Sequence, residues 1–418
     1  MSKRLGKLIL AASIVSGGML GISQAPTEAS SAVKIMLDGY PLSFSGDPVI
    51  MNGTTMVPFR SISEAMGINV TWNQATKTIL AVKGDGAEAI HVQLTLDNKK
   101  ALVNGTATPL AVAPQAVQGN TLIPLSFFSQ QFGATVGWDQ TARTVSITSP
   151  REKMYTLGFY ATSSFSEVET IPRFNSVSFG WSRIDENGKF ATTGKAGDFQ
   201  FPKPAGDINA ETLVLDAAEA GTTPYLMVLS GDTKGELTKI IENAEFRQQA
   251  ILDMITTAKE NHFEGILLDF EGLGLTTDKT LTRSAFTAFV KELDTAANKE
   301  GLKLSLALHP LNSSYQGYDY KALGDIADEL IIMAYDYGTK GTPEPVNKIN
   351  EAILLALEQT DKDNLILGIN LYSENADSVS TVIGLAKRYD LKGIALWRLG
   401  LISSDEWSSM QQSVEFRQ

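Results

Sequence analysis

The sequence predicts an α/β chain in which a (β/α)8 TIM barrel follows a smaller, duplicated α+β domain. Three observations carry this. From residue 153 onward, eight apolar, β-rich runs alternate with helical stretches, the arithmetic of eight strand–helix units. Residues 33–148 hold two copies of one pattern at an offset of 66 residues, the mark of an internal duplication. No glycine-rich phosphate loop follows the first run, which disfavours the doubly wound open sheet that the same alternation also allows.

The chain opens with "MSKRLGKLILAASIVSGGMLGISQAPTEASSA". Lys3, Arg4 and Lys7 precede a short apolar core, and small residues follow around Ala29 and Ala32. This predicts a signal peptide over residues 1–29, with an uncleaved anchor as the alternative, and hence a secreted or cell-surface protein.

In the duplicated region, Thr54 to Ile79 realigns on Asn120 to Val145. Pro58 matches Pro124, Gly67 matches Gly133, and Trp72 matches Trp138. Each copy reads as a hairpin turn (Asp38-Gly39, Asn104-Gly105), a strand running into proline, a helix ending at glycine, and a strand pair. This pattern resembles the copper amine oxidase N-terminal-like domain of exported proteins from spore-forming bacteria. The repeat has no pair of spaced histidines, so no metal comes with the resemblance. Core packing is expected for Trp72 and Trp138, with sugar stacking the alternative. A binding or spacer role is expected, including attachment to the cell wall.

A polar hinge at "TSPREKM" leads to the third region, residues 153–418. Its strand runs are 155–162, 176–184, 224–230, 264–271, 302–310, 329–338, 365–373 and 391–399. A barrel gathers its chemistry where strands end. Those ends carry Tyr160, then Asp269 and Glu271, then His309, then Tyr335, Asp336 and Tyr337, then Asn370 and Tyr372, then Trp397.

Composition narrows the chemistry. A net charge of −12 argues against nucleic acid and anionic membrane surfaces as partners. The absence of cysteine removes disulfides, thiolate metal sites and cysteine nucleophiles. His91, His262 and His309 are the only histidines, too few for a histidine-rich metal centre.

The fourth run, "EGILLDFE", is apolar until it ends in Asp269 and Glu271. Side chains alternate along a strand, so Leu267, Asp269 and Glu271 share one face while Leu268 and Phe270 share the other. Turning the acids inward puts Phe270 against the helices and Glu271 at the rim. Buried there, Asp269 must either share a proton with Glu271 or accept hydrogen bonds from a neighbour such as Tyr335. Either carboxyl is then expected to hold a proton near neutral pH.

Together, "EGILLDFE", "MAYDYG" (Met333 to Gly338), "LILGINLYS" and "GIALWRLG" resemble glycoside hydrolase family 18 over residues 153 to about 400. The nearest branch is that of the spore-cortex and peptidoglycan N-acetylglucosaminidases. The resemblance implies Glu271 as general acid and base, and Asp269 as the group that orients the substrate's 2-acetamido arm. It implies Tyr335 as a hydrogen-bond donor to that arm, Asp336 as a sugar contact and Trp397 as the hydrophobic floor. The implied reaction is retaining cleavage of a β-1,4 bond next to an N-acetylhexosamine, in peptidoglycan or a chitin-like polymer. It requires no cofactor and no second protein nucleophile. Leu267 departs from the family, which places an acidic or small polar residue there. His309 is either a subsite contact or structural. Tyr337 and Tyr372 line the cleft or pack in the core, and Tyr160 and Asn370 are candidate substrate contacts. A sugar-binding barrel without turnover is the competing expectation, and a wall-anchoring scaffold is another.

Overall fold

The computed structural model describes residues 33–417, apart from 196, 205 and 207. The expected signal peptide over residues 1–29 lies outside them. From Val33 onward the chain forms one compact unit with separate hydrophobic cores.

The duplicated pattern folds twice. Strand Thr54–Pro58 feeds helix Phe59–Ala65, and strand Asn120–Pro124 feeds helix Leu125–Gln131. Proline suits the entry of each helix because it donates no hydrogen bond there. Both turns, Asp38-Gly39 and Asn104-Gly105, hold two successive residues at positive φ, the geometry of a two-residue hairpin. Strands Thr54–Pro58 and Asn120–Pro124 pair antiparallel with Val57 opposite its own repeat counterpart, Ile123. The two copies therefore meet about a pseudo-two-fold axis.

Trp138 departs from the expectation of core packing, and Trp72 meets it in part. Trp138 is 44% exposed, and Trp72 is half-buried against its core. Each indole N–H donates to a nearby glutamine Oε1 at 2.8 Å, Gln74 and Gln140 respectively, so neither polar end needs a buried partner. Each indole lines a groove completed by the other repeat's turn: Trp138 with Gly53 and Thr54, Trp72 with Gly119 and Asn120.

The barrel strands are β1 (Tyr155–Tyr160), β2 (Ser176–Ile184), β3 (Thr223–Ser230), β4 (Gly265–Phe270), β5 (Lys303–Leu308), β6 (Glu329–Ile332), β7 (Leu365–Asn370) and β8 (Gly393–Trp397). They pair in parallel in chain order, and β8 closes on β1, as the sequence predicts. Helices Ala210–Glu219, Ala244–Glu260, Lys279–Lys299 and Ala376–Arg388 fall on expected stretches, and Val346–Leu357 adds another. The β6 run stops at Ile332, short of its expected end. The N–H groups of Ala334 and Tyr335 turn back onto Ile332 O and Met333 O, at 2.9 and 2.8 Å.

Strand alternation sorts the core into two layers. Leu157, Phe159, Met227, Leu267, Ile331 and Ile366 fill the barrel interior. Leu226, Leu268 and Phe270 face the helices, where Phe270 packs on Phe286 and Phe289 of helix Lys279–Lys299. The repeat region and the linker after it meet helix Ala376–Arg388, which joins β7 to β8: Arg388 lies over the Tyr40 ring at 5.4 Å and Lys387 Nζ donates to Pro150 O at 2.7 Å.

Candidate active site

β4 delivers the two acids with the expected handedness. Leu267, beneath Asp269, is fully buried in the barrel interior. Asp269 stands between Leu229 on β3 and Ala307 on β5. The end of β4 is pinned: Tyr318 hydroxyl donates to Phe270 O at 2.7 Å, and Glu271 N–H donates to Ser230 O at 2.8 Å. The chain then leaves through Gly274, at φ +73°, where a side chain would strike the Gly317 backbone. That close approach locks the loop after β4 onto the loop after β5.

Asp269 is 2% exposed, and its Oδ1 has no hydrogen-bond partner among the described residues. The expected bond from Tyr335 to this oxygen is not made. Burial first, and then the charge of Glu271, push the Asp269 carboxyl well above the usual carboxylate range. The surroundings explain the direction: apolar neighbours on both strands, leucine below, and, among the described residues, no cation within ion-pair distance. Glu271 has a side chain 44% exposed at the rim. Burial, then the charge of Asp336, raises its carboxyl too. Both shifts run in the direction that favours a proton on the pair.

The other candidate residues divide between site and scaffold. Tyr335 is packed with the barrel interior, its ring resting on Gly368 of β7, where an added Cβ would come within 3.2 Å. The charges of Asp269 and Glu271 help hold its hydroxyl protonated, so the three converge. Trp397 ends β8 against the interior and meets Phe159 edge-on at 5.1 Å between ring centroids. Asn370, at the end of β7, is paired in register with Trp397 and accepts the Tyr372 N–H at 3.0 Å. Tyr372 is 48% exposed at the rim.

His309 brings Nε2 to 3.9 Å from Glu271 Oε2 and stacks on Tyr315 with ring centroids 4.0 Å apart. Burial lowers its pKa to about 4, so near neutrality it is an uncharged neighbour of the acid. Asp336 adopts φ +62°, and its carboxyl is raised by burial and then by Glu344.

One expectation is corrected, and one stated alternative is favoured. Tyr160 is 2% exposed and packs on Phe179 and Trp181 in the helix-facing layer; Phe159 takes the inward place on β1. The alternation argument used on β4 would have found this. Tyr337 packs against the same outer layer and donates its hydroxyl to Asn312 Oδ1 at 2.8 Å, which favours packing over lining the cleft.

The sequence reading missed Glu344. This buried residue accepts the N–H groups of Asp336 and Tyr337, each at 3.0 Å, and so holds the loop that aims Asp336. Eight residues separate it from Asp336, and only the fold brings them together.

Residues 36–147 match the family model of the copper amine oxidase N-terminal domain. The cortical fragment-lytic enzyme of Bacillus subtilis (strain 168) is 24% identical, over 45% of this chain and 60% of that protein. The cortical fragment-lytic enzyme of Bacillus anthracis is 27% identical, over 42% of this chain and 46% of that protein. The chain thus spans about half the length of the curated relatives it matches. Among solved structures, the Bacillus cereus spore cortex-lytic enzyme SleL shares the fold, with a TM-score of 0.52 and 17% identity over 64% of this chain and 76% of that one. Residues 156–384, more than half of the chain and the segment that carries both acids, match the family model itself: the chain belongs to the glycosyl hydrolases family 18.

Proposed function

We propose that the chain is an exported glycoside hydrolase that cleaves the β-1,4 bond beside an N-acetylhexosamine, in peptidoglycan or a chitin-like polymer, with retention of configuration. One observation carries the reading: Asp269, a buried carboxyl with no cation within ion-pair distance among the described residues, lies one inward position below the rim residue Glu271, and burial raises both carboxyls.

Protonated Glu271 gives its proton to the glycosidic oxygen as the bond breaks. The carbonyl oxygen of the substrate's own 2-acetamido group attacks the anomeric carbon. With the proton on Glu271, Asp269 is a carboxylate; it accepts the acetamido N–H and balances the positive charge that develops there, an interaction strengthened by the apolar pocket. Tyr335 donates to the acetamido oxygen, Asp336 holds the sugar ring and Trp397 supports its face. Glu271, now a carboxylate, then takes a proton from the water that opens the oxazolinium ring. Leu267 leaves Asp269 to be tuned by burial and Glu271 alone.

The division into residues 33–148 and 153–418 belongs to this reading, with wall attachment assigned to the first part. Separate hydrophobic cores support it.

The test incubates the purified chain with peptidoglycan, cortex fragments and chitooligosaccharides, beside Glu271→Gln. Release of reducing ends by the unaltered chain and its loss in the variant are expected. Binding without release makes the barrel a sugar-binding module instead. Absence of binding to all of these glycans ends both readings.

A further inference from the structure

Beside the candidate site lies a second cavity of about 600 Å³. Its walls come from the loops after β1 (Ala161 to Ser163) and β2 (Gly194, and Gly197 to Lys203), and from Arg398 directly after β8. Phe199 lines it and also packs on the barrel interior, so the cavity adjoins the floor that Trp397 provides.

Arg398 is the unusual feature. Its Nη1 donates to Ser164 Oγ and Leu399 O, each at 3.2 Å, and its Nη2 donates to Tyr372 hydroxyl at 3.0 Å. All three acceptors are neutral. They occupy three of the five guanidinium N–H donors, and Nε makes no hydrogen bond among the described residues. Tyr372 also packs its ring beneath the guanidinium, at 5.8 Å. No carboxylate among the described residues lies within ion-pair distance of Arg398.

The carboxylate of the cavity wall is already paired, with a cation from outside the lining. Arg183 pairs with Asp198 at 3.4 Å and donates to two backbone carbonyls. Asp198, the cavity's own carboxylate, also accepts the Lys195 N–H at 2.8 Å. Lys203 is exposed on the wall and, like Arg398, lacks an ion-pair partner among the described residues. In a chain of net charge −12, an oriented and unneutralised guanidinium beside the site is a selective feature. Arginine held by neutral acceptors, with donors to spare, is set up to receive a carboxylate.

We propose that Arg398 reads a carboxylate on the glycan itself, and that the substrate is therefore a polymer whose sugars carry an acidic ether, as the 3-O-lactyl group does in peptidoglycan, rather than neutral chitin. The inference rests on the glycan-binding part of the function proposed above. The acid pair holds the N-acetylhexosamine that is cleaved; Arg398 receives the carboxylate of a sugar beside it, with Lys203 adding charge at the wall. The overall acidity of the chain gives no long-range attraction to such a polymer, so this local contact supplies the selectivity.

The test measures binding of matched tetrasaccharides to the Glu271→Gln chain, which retains glycan uncut. One is a peptide-free peptidoglycan strand with its lactyl carboxylates intact, the second is the same strand with those carboxylates reduced to alcohols, and the third is chitotetraose. The lactyl strand is expected to bind about ten- to a hundredfold more tightly than the reduced strand. Adding Arg398→Gln should collapse that ratio, and Arg398→Lys should restore part of it. The preference should also weaken as salt rises.

Equal affinity for lactyl and reduced strands overturns the proposal, while turnover of chitotetraose by the unaltered chain would leave the glycosidase reading standing. Equal losses on all three glycans in Arg398→Gln, with the ratio preserved, make the residue a loop fastener and also overturn it. If the unaltered chain cuts nothing but the binding ratio holds, the glycosidase reading fails and the role of Arg398 survives.

Discussion

Asp269 near the rim of the barrel and Glu329 at its floor are both buried, and the barrel treats the two in opposite ways. Glu329 opens β6 at 4% exposure and is met by Lys392 Nζ at 3.1 Å, across from the hydroxyl-bearing Tyr155 and Ser176. Asp269 is as deeply buried, yet it stands among Leu229, Ala307 and Leu267 and, among the described residues, meets no cation. A buried charge without a partner is costly and answers by keeping its proton. The floor carboxylate is neutralised by its own protein. The rim carboxyl is left for something else to satisfy, and a substrate acetamido N–H fits that need.

The contrast is sharpest if each acid is altered in turn. Glu271→Gln should lower kcat about a hundred- to ten-thousandfold, the usual weight of a general acid, with little change in melting temperature, since its side chain is 44% exposed; reducing-end assays and thermal melts read both. Asp269→Asn should also cost activity, by about a hundredfold, yet leave the melting temperature equal or higher, because it removes an unpartnered buried carboxyl. A clear loss of stability in that variant would break the comparison. At the floor the outcome reverses. Lys392→Met should cost about 2 kcal/mol in denaturant melts, below the full price of breaking a buried pair because Lys392 is 27% exposed, and kcat of the folded fraction should be retained.

Smaller effects follow from the neighbours. The charge of Asp336 raises the Glu271 carboxyl, so in Asp336→Asn Glu271 should lose its proton at lower pH. The alkaline limb of the kcat/KM profile then moves down in pH, whatever happens to its height. His309 is buried neutral with its pKa lowered to about 4, so between the unfolded value, about 6.5, and 4 the unfolded chain binds the extra proton. Its contribution to stability is present above about pH 6.5 and is lost as pH falls toward 4. The raised rim carboxyls act with the opposite sign, gaining stability as pH falls. His309→Gln should therefore flatten the acid-side fall in melting temperature, and an unchanged slope would remove this role.

Much of the fold was legible because its signals are local. Parallel strands buried on both faces read as apolar runs, and all eight lie where such runs occur. The duplication showed through because Pro58, Gly67 and Trp72 recur as Pro124, Gly133 and Trp138 at one spacing. The acids on β4 were legible because period-two alternation assigns Leu267, Asp269 and Glu271 to one face. Tyr160 was misplaced because the same alternation was not applied to β1. Trp138 was misjudged because residue type says nothing of which side of a hairpin faces the partner repeat.

By itself, then, the sequence determined the barrel, the repeat, the strand that carries the acids and the direction in which they point. These depend on periodicity and on neighbours a few residues apart. Only the tertiary structure decided that, among the described residues, Asp269 has no cation within ion-pair distance while Glu329 has Lys392, and that Arg398 has no carboxylate within that distance beside a second cavity. Each of those depends on charges brought together from distant parts of the chain, and electrostatic energy is set by that three-dimensional separation and by burial, neither of which is written in linear order.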